Sequence, residues 1–432
     1  MRRTIKQFQG LRQGIPAAAK AGVLAFGLAA LCGRTAQGVT PTAGSSHAGT
    51  AVDVNLAQMK TEDGVFVAPL RAGGKAILTI DPNLQKTADD VFEKFNVPYG
   101  AAVVVSIVDG NVLVLSGKSA LDAKLGPEDL ALKAWAPAAS VFKVVSASAL
   151  VADGGLTSQS KTCYHGGLAR IEEDNLRDMP SLDKTCDTLS YGVGKSQNAI
   201  LAKMASRNLD AVSMRRMATA FGFGLPMPFV APVETSALDV PKDKLEFARM
   251  AAGFFHTSLS PLHGALLAAT IAGDGLMPRP RLVQRAVDRQ GNALPAPGRR
   301  ARRVLDPAVA KDVGTMMEAT TRMGTARSGF VDGKGRALLP FSVAGKTGSL
   351  NYRGRQGDPQ PPAGLANGEL LYSWFVGYAP ADKPEVAFAV LIGNSSKWRI
   401  KATFAAQQIL AAWGAHRASP AATNDDAMVA QK

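Results

Sequence analysis

A serine and a lysine lie three residues apart in the segment Pro137 to Lys143 (P-A-A-S-V-F-K), which opens an apolar stretch typical of a helix. Ser140 is expected at the helix N-terminus, where free N–H groups and the helix dipole favour developing negative charge. Lys143 then shares a face with Ser140, and an amine whose pKa is lowered by burial can take the hydroxyl proton. The pair is a candidate nucleophile and base. Taken alone, it is also compatible with an N-cap serine and a solvated lysine.

A second polar group follows at Ser196-Gln197-Asn198, after a glycine-containing segment. A hydroxyl and a carboxamide two residues apart on a loop can face one cleft, the first to relay a proton and the second to bind an amide. The alternative is an N-cap for a helix over Ala199 to Arg207. Taken alone, the N-cap is the preferred interpretation.

A third group, Lys346-Thr347-Gly348-Ser349, lies on an apolar run that predicts a strand. Alternation sends Lys346 and Gly348 to one face and Thr347 and Ser349 to the other, unless a bulge or twist intervenes. Gly348 removes a side chain that would prevent a ligand from lying along the strand edge. By itself, K-T-G on a strand is unremarkable.

The elements that must position these groups are strands near both ends of the chain and helices between them. This order predicts an α+β fold in which one mostly antiparallel sheet is built from both chain termini, flanked by helices, and carries an inserted all-helical subdomain. Asp109-Gly110 predicts a tight hairpin. The expected strands are Ala76–Asp81, runs from Gly100 and from Asn111, a small exposed hairpin over Leu282–Leu294, and Phe341–Ser349, Leu371–Tyr378 and Glu385–Ile392. The expected helices are Asn83–Phe95, several between Ser140 and Gly273, Pro307–Thr325 and one near Ile400–Trp413.

The three groups occur in the order S-x-x-K, S-x-N and K-T-G, the motif set of penicillin-binding proteins and serine β-lactamases. From about Lys75 to Trp413 the chain resembles the transpeptidase domain of penicillin-binding proteins. Further segments that carry the resemblance are L-T-I-D-P-N-L-Q from Leu78, the hairpin from Gly100 to Ser116, N-A-I-L-A-K-M-A from Asn198, F-G-F-G from Phe221, S-P-L-H-G-A from Ser260, G-T-A from Gly324 and W-F-V-G-Y-A-P from Trp374.

The resemblance implies an acyl-serine enzyme, a peptidoglycan D,D-transpeptidase that acts on D-Ala-D-Ala stem peptides and is acylated by β-lactams. Ser140 would attack the peptide carbonyl, with Lys143 as general base. Ser196 would help pass the proton to the leaving D-Ala, and Lys346 would supply positive charge near Ser196. The usual glycine before the nucleophile is Ala139 here, which removes no chemical group.

Substrate binding is also implied by the resemblance. Asn198 would hold the substrate amide, while Thr347 and Ser349, beside Gly348, would bind the terminal carboxylate. The backbone N–H groups of Ser140 and Ser349 would form the oxyanion hole. Ser349 replaces the commoner threonine and keeps its hydroxyl.

The N-terminus indicates export, because basic residues precede an apolar stretch from Ala21 to Cys32 that is short for a bilayer span. We expect an export signal or membrane anchor in 1–36, a low-complexity tether in 37–74, the transpeptidase domain in 75–415 and a polar tail in 416–432. The protein would then act in the periplasm or at the outer face of the inner membrane. Cys32 is interpreted as an unmodified apolar residue.

Export would place Cys163 and Cys186 in an oxidising compartment, and the segment between them is polar and loop-like. We expect a disulfide that closes a loop of about 24 residues. The alternative is two separate buried thiols.

Composition excludes several classes of protein. With 46% apolar residues among 432, the chain can bury a large core and is not a disordered tail. The formal charge of +14 suits an anionic neighbour such as phospholipid headgroups, acidic wall polymer or nucleic acid. Aromatics are only 6% and the run Arg299–Arg303 lies beside Pro and Gly, so we expect no nucleic-acid partner. The His and Cys spacing indicates no zinc site, and no metal or cofactor is expected.

Other functions of the same cleft stay open at this point. A serine β-lactamase needs a base that activates water, and Glu234 is the one tempting candidate, but the residues after it do not match E-x-x-L-N. We interpret Glu234 as an ordinary loop carboxylate. A D,D-carboxypeptidase or endopeptidase, and a non-catalytic β-lactam or wall-binding sensor, are the remaining alternatives. A glycan polymerase is an expected type of partner, and the membrane is another if the N-terminus stays uncleaved.

Overall fold

The computed structural model describes residues 52–295, 298–352, 370–395 and 397–417, in which most strands lie toward the two ends of the chain and most helices lie between them. The predicted export signal, Cys32 and residues 418–432 lie outside these ranges. The strands are β1 (Lys60–Glu62), β2 (Val65–Pro69), β3 (Lys75–Leu78), β4 (Tyr99–Ser106), β5 (Val112–Lys118), β6 (Ala136–Pro137), β7 (Lys161–Tyr164), β8 (Thr185–Thr188), β9 (Ser258–Leu259), β10 (Leu276–Met277), β11 (Val283–Val287), β12 (Arg302–Arg303), β13 (Ala344–Tyr352), β14 (Leu370–Ala379) and β15 (Val386–Asn394). The helices are α1 (Pro82–Lys94), α2 (Pro127–Leu130), α3 (Lys143–Ala152), α4 (Leu189–Gly194), α5 (Asn198–Asn208), α6 (Ala211–Ala220), α7 (Lys244–Ala251), α8 (Pro261–Ala272), α9 (Pro307–Arg322), α10 (Arg327–Phe330) and α11 (Ala402–Arg417).

The main sheet is antiparallel and combines strands from both ends of the chain in the order β13-β14-β15-β4-β5. Both of its faces are covered, one by α8 and the other by α1 and α11. Neighbouring residues Val103 and Val104 of β4 therefore belong to different apolar clusters. Burial on both faces explains why β4 and β15 are almost continuously apolar rather than alternating. The α+β prediction, with a sheet built from both termini, is confirmed.

The inserted subdomain runs from α3 to α7 between the two halves of this sheet, but the prediction that it is all-helical is wrong, because the antiparallel pair β7–β8 lies within it. Helix α3 is buried from Lys143 to Leu150 and packs against α5, α6 and α9. The sequence of α3 is rich in the small apolar residues Ala and Val, so other elements can pack closely against every side of the helix. Strand β13 lies alongside the start of α3, so the K-T-G segment and the Ser140 turn meet at one edge of the sheet.

A second antiparallel sheet has the order β1-β2-β3-β11. Its first strands fall in the segment predicted as a tether, so that prediction is wrong for residues 52–74. Val52, Val54 and Leu56 are buried in the main core, and this stretch carries Val, Leu, Met and Phe side chains that a low-complexity linker would not supply. The hairpin expected over Leu282–Leu294 exists only in part, since β11 pairs with β3 and a single bridge joins Val287 to Ala293.

Helix α11 continues to Arg417, two residues beyond the expected domain end. Among the described residues, no helix combines the length and the apolar character that a bilayer span requires.

Candidate active site

Ser140 lies in a 3-10 turn, Ala139–Phe142, that leads directly into α3. Ala139 has a φ of +49°, in the left-handed region that costs a residue with a Cβ about 1 kcal/mol or more. Gly253 supports this turn, because a Cβ at Gly253 would lie 2.5 Å from the Ala139 carbonyl oxygen. The nucleophile turn is therefore strained and held by close backbone contact. The predicted helix start is right to within one turn.

Lys143 is the first residue of α3 and is fully buried. Its Nζ lies 2.8 Å from Ser140 Oγ, 3.1 Å from Ser196 Oγ and 2.6 Å from Asn198 Oδ1. Burial, reinforced by the nearby charge of Lys346, holds the pKa of Lys143 well below its usual value. A neutral amine in contact with a serine hydroxyl can accept its proton.

The Ser196 and Asn198 side chains reach the same amine from a different element. Gln197 is the N-cap of α5, and its side chain accepts a hydrogen bond from Ala199 N, so the capping role belongs to Gln197 rather than to Ser196. Ser196 has a φ of +56°, which turns its hydroxyl away from the helix and toward Lys143. Asn198 is 9% exposed, and its Nδ2 donates to the carbonyl of Leu168 at 2.6 Å.

Lys346, on edge strand β13, completes a chain of polar contacts. Its Nζ donates to Ser196 Oγ at 2.9 Å and to the carbonyl of Thr347, also at 2.9 Å. Burial lowers the pKa of Lys346 to about 7. Ser196 thus lies between two buried amines, a suitable place for a hydroxyl that passes a proton.

The rest of the K-T-G segment follows the predicted alternation. Lys346 and Gly348 are buried, whereas Thr347 and Ser349 are more exposed. A Cβ at Gly348 would lie 3.0 Å from Trp374 Cβ and 3.3 Å from Val141 Cγ2, so the missing side chain lets β13 pack against the nucleophile turn. Among the described strands β13 lies at the edge of the sheet, and none of them pairs with the other side of its backbone at Ser349.

One hydroxyl at this site was not singled out from the sequence. Thr325 Oγ1 lies 2.5 Å from Thr347 Oγ1, and Thr325 N donates to the Gly194 carbonyl. The only sequence signal was the G-T-A segment that begins at Gly324, where a Cβ would lie 2.0 Å from Gly194 O. Thr325 thus adds a hydroxyl beside the residue expected to bind a carboxylate.

Two further sequence inferences concern the cysteine pair and Glu234. Cys163 and Cys186 are bonded to each other where β7 pairs with β8, and both are exposed. Glu234 accepts a hydrogen bond from Ala134 N at 2.9 Å, so its carboxylate caps a loop backbone. Within the described ranges, no group of three or more His, Cys, Asp or Glu is arranged to hold a metal ion.

The chain is similar to known proteins in both sequence and structure. The sequence profile of the penicillin binding protein transpeptidase domain matches residues 100–412. Peptidoglycan D,D-transpeptidase PbpA of Mycobacterium tuberculosis is 27% identical over 363 residues, which cover 77% of this chain and 69% of that protein. Penicillin-binding protein 1F of Bacillus subtilis is 23% identical over 332 residues, covering 76% of this chain and 41% of that protein.

Solved structures share the fold. Penicillin-binding protein A from M. tuberculosis, as a penicillin G acyl-enzyme complex, superposes with a TM-score of 0.63 at 23% identity and covers 80% of this chain and 81% of that one. A D,D-transpeptidase domain from Eggerthella lenta gives a TM-score of 0.63 at 21% identity, covering 80% and 84%. With the motif geometry and a profile match over most of its length, this chain belongs to the penicillin-binding protein transpeptidase domain family.

Proposed function

We propose that this chain is a peptidoglycan D,D-transpeptidase that forms an acyl-serine intermediate on Ser140 and is acylated there by β-lactams. The observation that carries the proposal is the contact between Lys143 Nζ and Ser140 Oγ, which are 2.8 Å apart, together with the lowered pKa of the Lys143 amine. The M. tuberculosis relative named a peptidoglycan D,D-transpeptidase supports the same reaction class. A similar structure that holds penicillin G as an acyl-enzyme supports acylation by β-lactams.

In the first step, Ser140 Oγ attacks the carbonyl of the penultimate D-Ala, and Lys143 takes the hydroxyl proton. The resulting oxyanion is stabilised by the N–H groups of Ser140 and Ser349. Collapse of the tetrahedral species breaks the C–N bond, and the proton reaches the leaving amine from Lys143 through Ser196. Lys346 holds the Ser196 hydroxyl between the two amines. An acceptor amine then attacks the ester carbonyl, the C–O bond to Ser140 breaks, and the proton lost by the amine returns to Ser140 Oγ through Lys143.

Substrate recognition uses the exposed side of β13. Thr347 and Ser349 bind the terminal carboxylate of the donor peptide or of a β-lactam, with Thr325 supporting the Thr347 hydroxyl. Asn198 holds the substrate amide through the N–H that Leu168 does not use. The hydroxyl groups suit a carboxylate because each can donate one hydrogen bond to it.

The β-lactamase alternative requires a general base that activates water, and Glu234, the one candidate, does not support it. The Glu234 carboxylate already accepts a hydrogen bond from Ala134 N, and no contact joins it to the polar chain around Ser140 in the described residues. Since Glu234 is engaged with Ala134 and does not contact Ser140 or its partners in the described residues, we expect the acyl-enzyme to persist.

We further propose that the enzyme works on the outer side of the cytoplasmic membrane. An exposed disulfide at Cys163–Cys186 is stable in an oxidising compartment, which supports export. The proposal includes an export signal or anchor in 1–36, one transpeptidase domain from residue 52 to 417, and a glycan polymerase as working partner. The net charge of +14 suits an anionic membrane or wall surface.

The deciding experiment mixes the purified chain with a fluorescent penicillin and maps the adduct by mass spectrometry. A persistent adduct on Ser140 that is absent in Ser140→Ala is the expected result. Rapid turnover of the drug would instead favour a β-lactamase, and no adduct would favour a binding module. Incubating a D-Ala-D-Ala peptide with an acceptor amine and weighing the products then separates transfer to the amine from hydrolysis.

A further inference from the structure

We infer that the loop closed by the Cys163–Cys186 disulfide positions the Asn198 carboxamide for acylation, with the main-chain carbonyl of Leu168 as the point of contact. We call residues 163–186 the disulfide loop. The inference rests on the proposed function and assigns a positioning role to Gly167 and Leu168, which do not touch the reacting atoms.

The contact determines which way the amide faces. Asn198 Nδ2 donates to Leu168 O at 2.6 Å, and Asn198 Oδ1 accepts from Lys143 Nζ at 2.6 Å. A flipped amide would direct its oxygen at the Leu168 carbonyl and lose that bond, and it would present N–H groups rather than an acceptor to the Lys143 amine. The Leu168 carbonyl thereby selects the orientation in which an acceptor faces Lys143.

The disulfide loop reaches Asn198 because Gly167 has no side chain. A Cβ at Gly167 would lie 2.7 Å from Ala199 Cβ and 3.1 Å from Ile171 Cδ1. Ala199 directly follows Asn198 on α5, so any side chain at Gly167 would push the loop away from the first turn of the helix.

A buried ion pair holds the base of the disulfide loop to the same helix. Lys203 lies on α5 and is fully buried, and its Nζ contacts Asp183 Oδ2 at 2.7 Å and the Cys163 carbonyl at 2.8 Å. Burial raises the pKa of Asp183, but hydrogen bonds from His165 and Lys203 outweigh this effect and leave the pKa below its usual range. The aspartate stays charged, and the pair stays intact at neutral pH.

Two further ties limit movement of the disulfide loop. Arg249 of α7 donates through Nε and Nη2 to the Ile171 carbonyl at 2.9 and 2.8 Å. The disulfide joins directly opposed residues of β7 and β8 and so closes the loop. Leu168 is thus fixed from both sides of the segment that carries it, and Asn198 receives its acceptor in one position.

Gly167→Ala, with Gly166→Ala as matched control, tests the inference. Both glycines have positive φ, +65° and +52°, so both variants carry the same kind of backbone cost. A Cβ at Gly166 meets nothing nearer than Asn175 Nδ2 at 3.5 Å, so only Gly167→Ala displaces the loop. We expect the acylation rate with fluorescent penicillin to fall by about tenfold or more in Gly167→Ala and to stay within about twofold of wild type in Gly166→Ala.

A double-mutant cycle separates positioning from general damage. If the loop acts through the carboxamide, Gly167→Ala has no further effect in an Asn198→Ala background. Loss of the Asn198 acceptor also removes a bond to the ammonium form of Lys143, which lowers the pKa of Lys143, so the acid limb of the acylation rate moves to lower pH. Among the described residues, the charged group that faces Lys143 is Lys346 on β13, and it is unchanged in the Gly167→Ala and Asn198→Ala variants.

Each outcome either supports or overturns the positioning role of the disulfide loop. Equal acylation of Gly167→Ala and Gly166→Ala, or an undiminished loss in the Asn198→Ala background, would overturn the positioning role while leaving the proposed function intact. Wild-type protein that is never acylated would overturn both. If Gly167→Ala does not fold, the double variant Cys163→Ser, Cys186→Ser replaces it in the double-mutant cycle with Asn198→Ala. The same loss of acylation rate is expected. An acylation rate equal to that of Gly166→Ala, or an undiminished loss in the Asn198→Ala background, would again overturn the positioning role.

Discussion

Gly253→Ala should reduce acylation without removing any chemical group of the site. A Cβ at this position would lie 2.5 Å from the Ala139 carbonyl oxygen and 2.9 Å from Ser140 Cα, whereas ordinary contact begins at 3.4 Å. The turn that carries Ser140 must therefore move by about 0.9 Å, the difference between 3.4 and 2.5 Å. It has little freedom to do so, since Ala139 is already in the left-handed region.

A misplacement of about 1 Å in a catalytic group costs on the order of 100-fold in rate, which corresponds to roughly 2.7 kcal/mol of activation free energy. We expect this loss in the second-order rate of acylation by a fluorescent penicillin. The Gly253 φ of +87° adds a backbone cost of about 1 kcal/mol to folding, and that cost must be separated from the catalytic loss.

Gly155→Ala is the matched control, because Gly155 has a φ of +66° but no atom within 4 Å of an added Cβ. Thermal unfolding of both variants would show whether each is folded at the assay temperature. If folded Gly253→Ala were acylated as fast as Gly155→Ala, the turn would be able to adjust, and the argument that Gly253 holds the nucleophile would be refuted.

Three other perturbations have defined outcomes. Lys143→Ala should lower acylation by several orders of magnitude, because the base acts as a unit with its nucleophile, while the exposed Lys86→Ala should have no effect; near-normal labelling of Lys143→Ala would show that the base is misassigned. Lys346→Met removes a like charge that lowers the pKa of Lys143, so that pKa rises and the acid limb of the rate profile should move to higher pH; an unchanged limb would contradict the coupling. Replacing Cys163 and Cys186 by serine should lower the free energy of unfolding by about 3 kcal/mol on the chain-entropy model for a loop of about 24 residues, measured in urea, and a change below about 1 kcal/mol would count against it.

Local pattern was sufficient where the physical cause is itself local. The spacing of Ser140 and Lys143 brings them together because helical residues three apart share a face, and the contact is 2.8 Å. The alternation of Lys346 and Thr347 on β13 follows from the strand period in the same way. Runs of β-branched residues around Asp109-Gly110 likewise predict the β4–β5 hairpin, since its pairing needs only a turn of a few residues.

Motif order predicted which distant groups belong to one site, but it contains no geometry. Ser196 and Lys346 are separated by 150 positions, and their contact exists only because the sheet edge, α3 and α5 pack around the same cleft. The depressed pKa values of the two lysines arise from that packing, because burial penalises the charged form. The lowered pKa values therefore cannot be inferred from the separate segments.

Three features were decided by tertiary structure alone. The prediction of a tether fails at residues 52–74, because Val52 and Val54 are buried in a core to which distant parts of the chain contribute. Thr325 joins the site through a hydroxyl contact across two elements, and Leu168 does so through a backbone carbonyl, a group that every residue type has. The sequence by itself determined the fold class, the three motifs and the pairing of Ser140 with Lys143, the proposed nucleophile and base, because these depend on short spacing and characteristic residue types. The close backbone approaches at Gly167 and Gly253, which position those groups, depend on what lies opposite each glycine, and only the folded chain brings that neighbour into place.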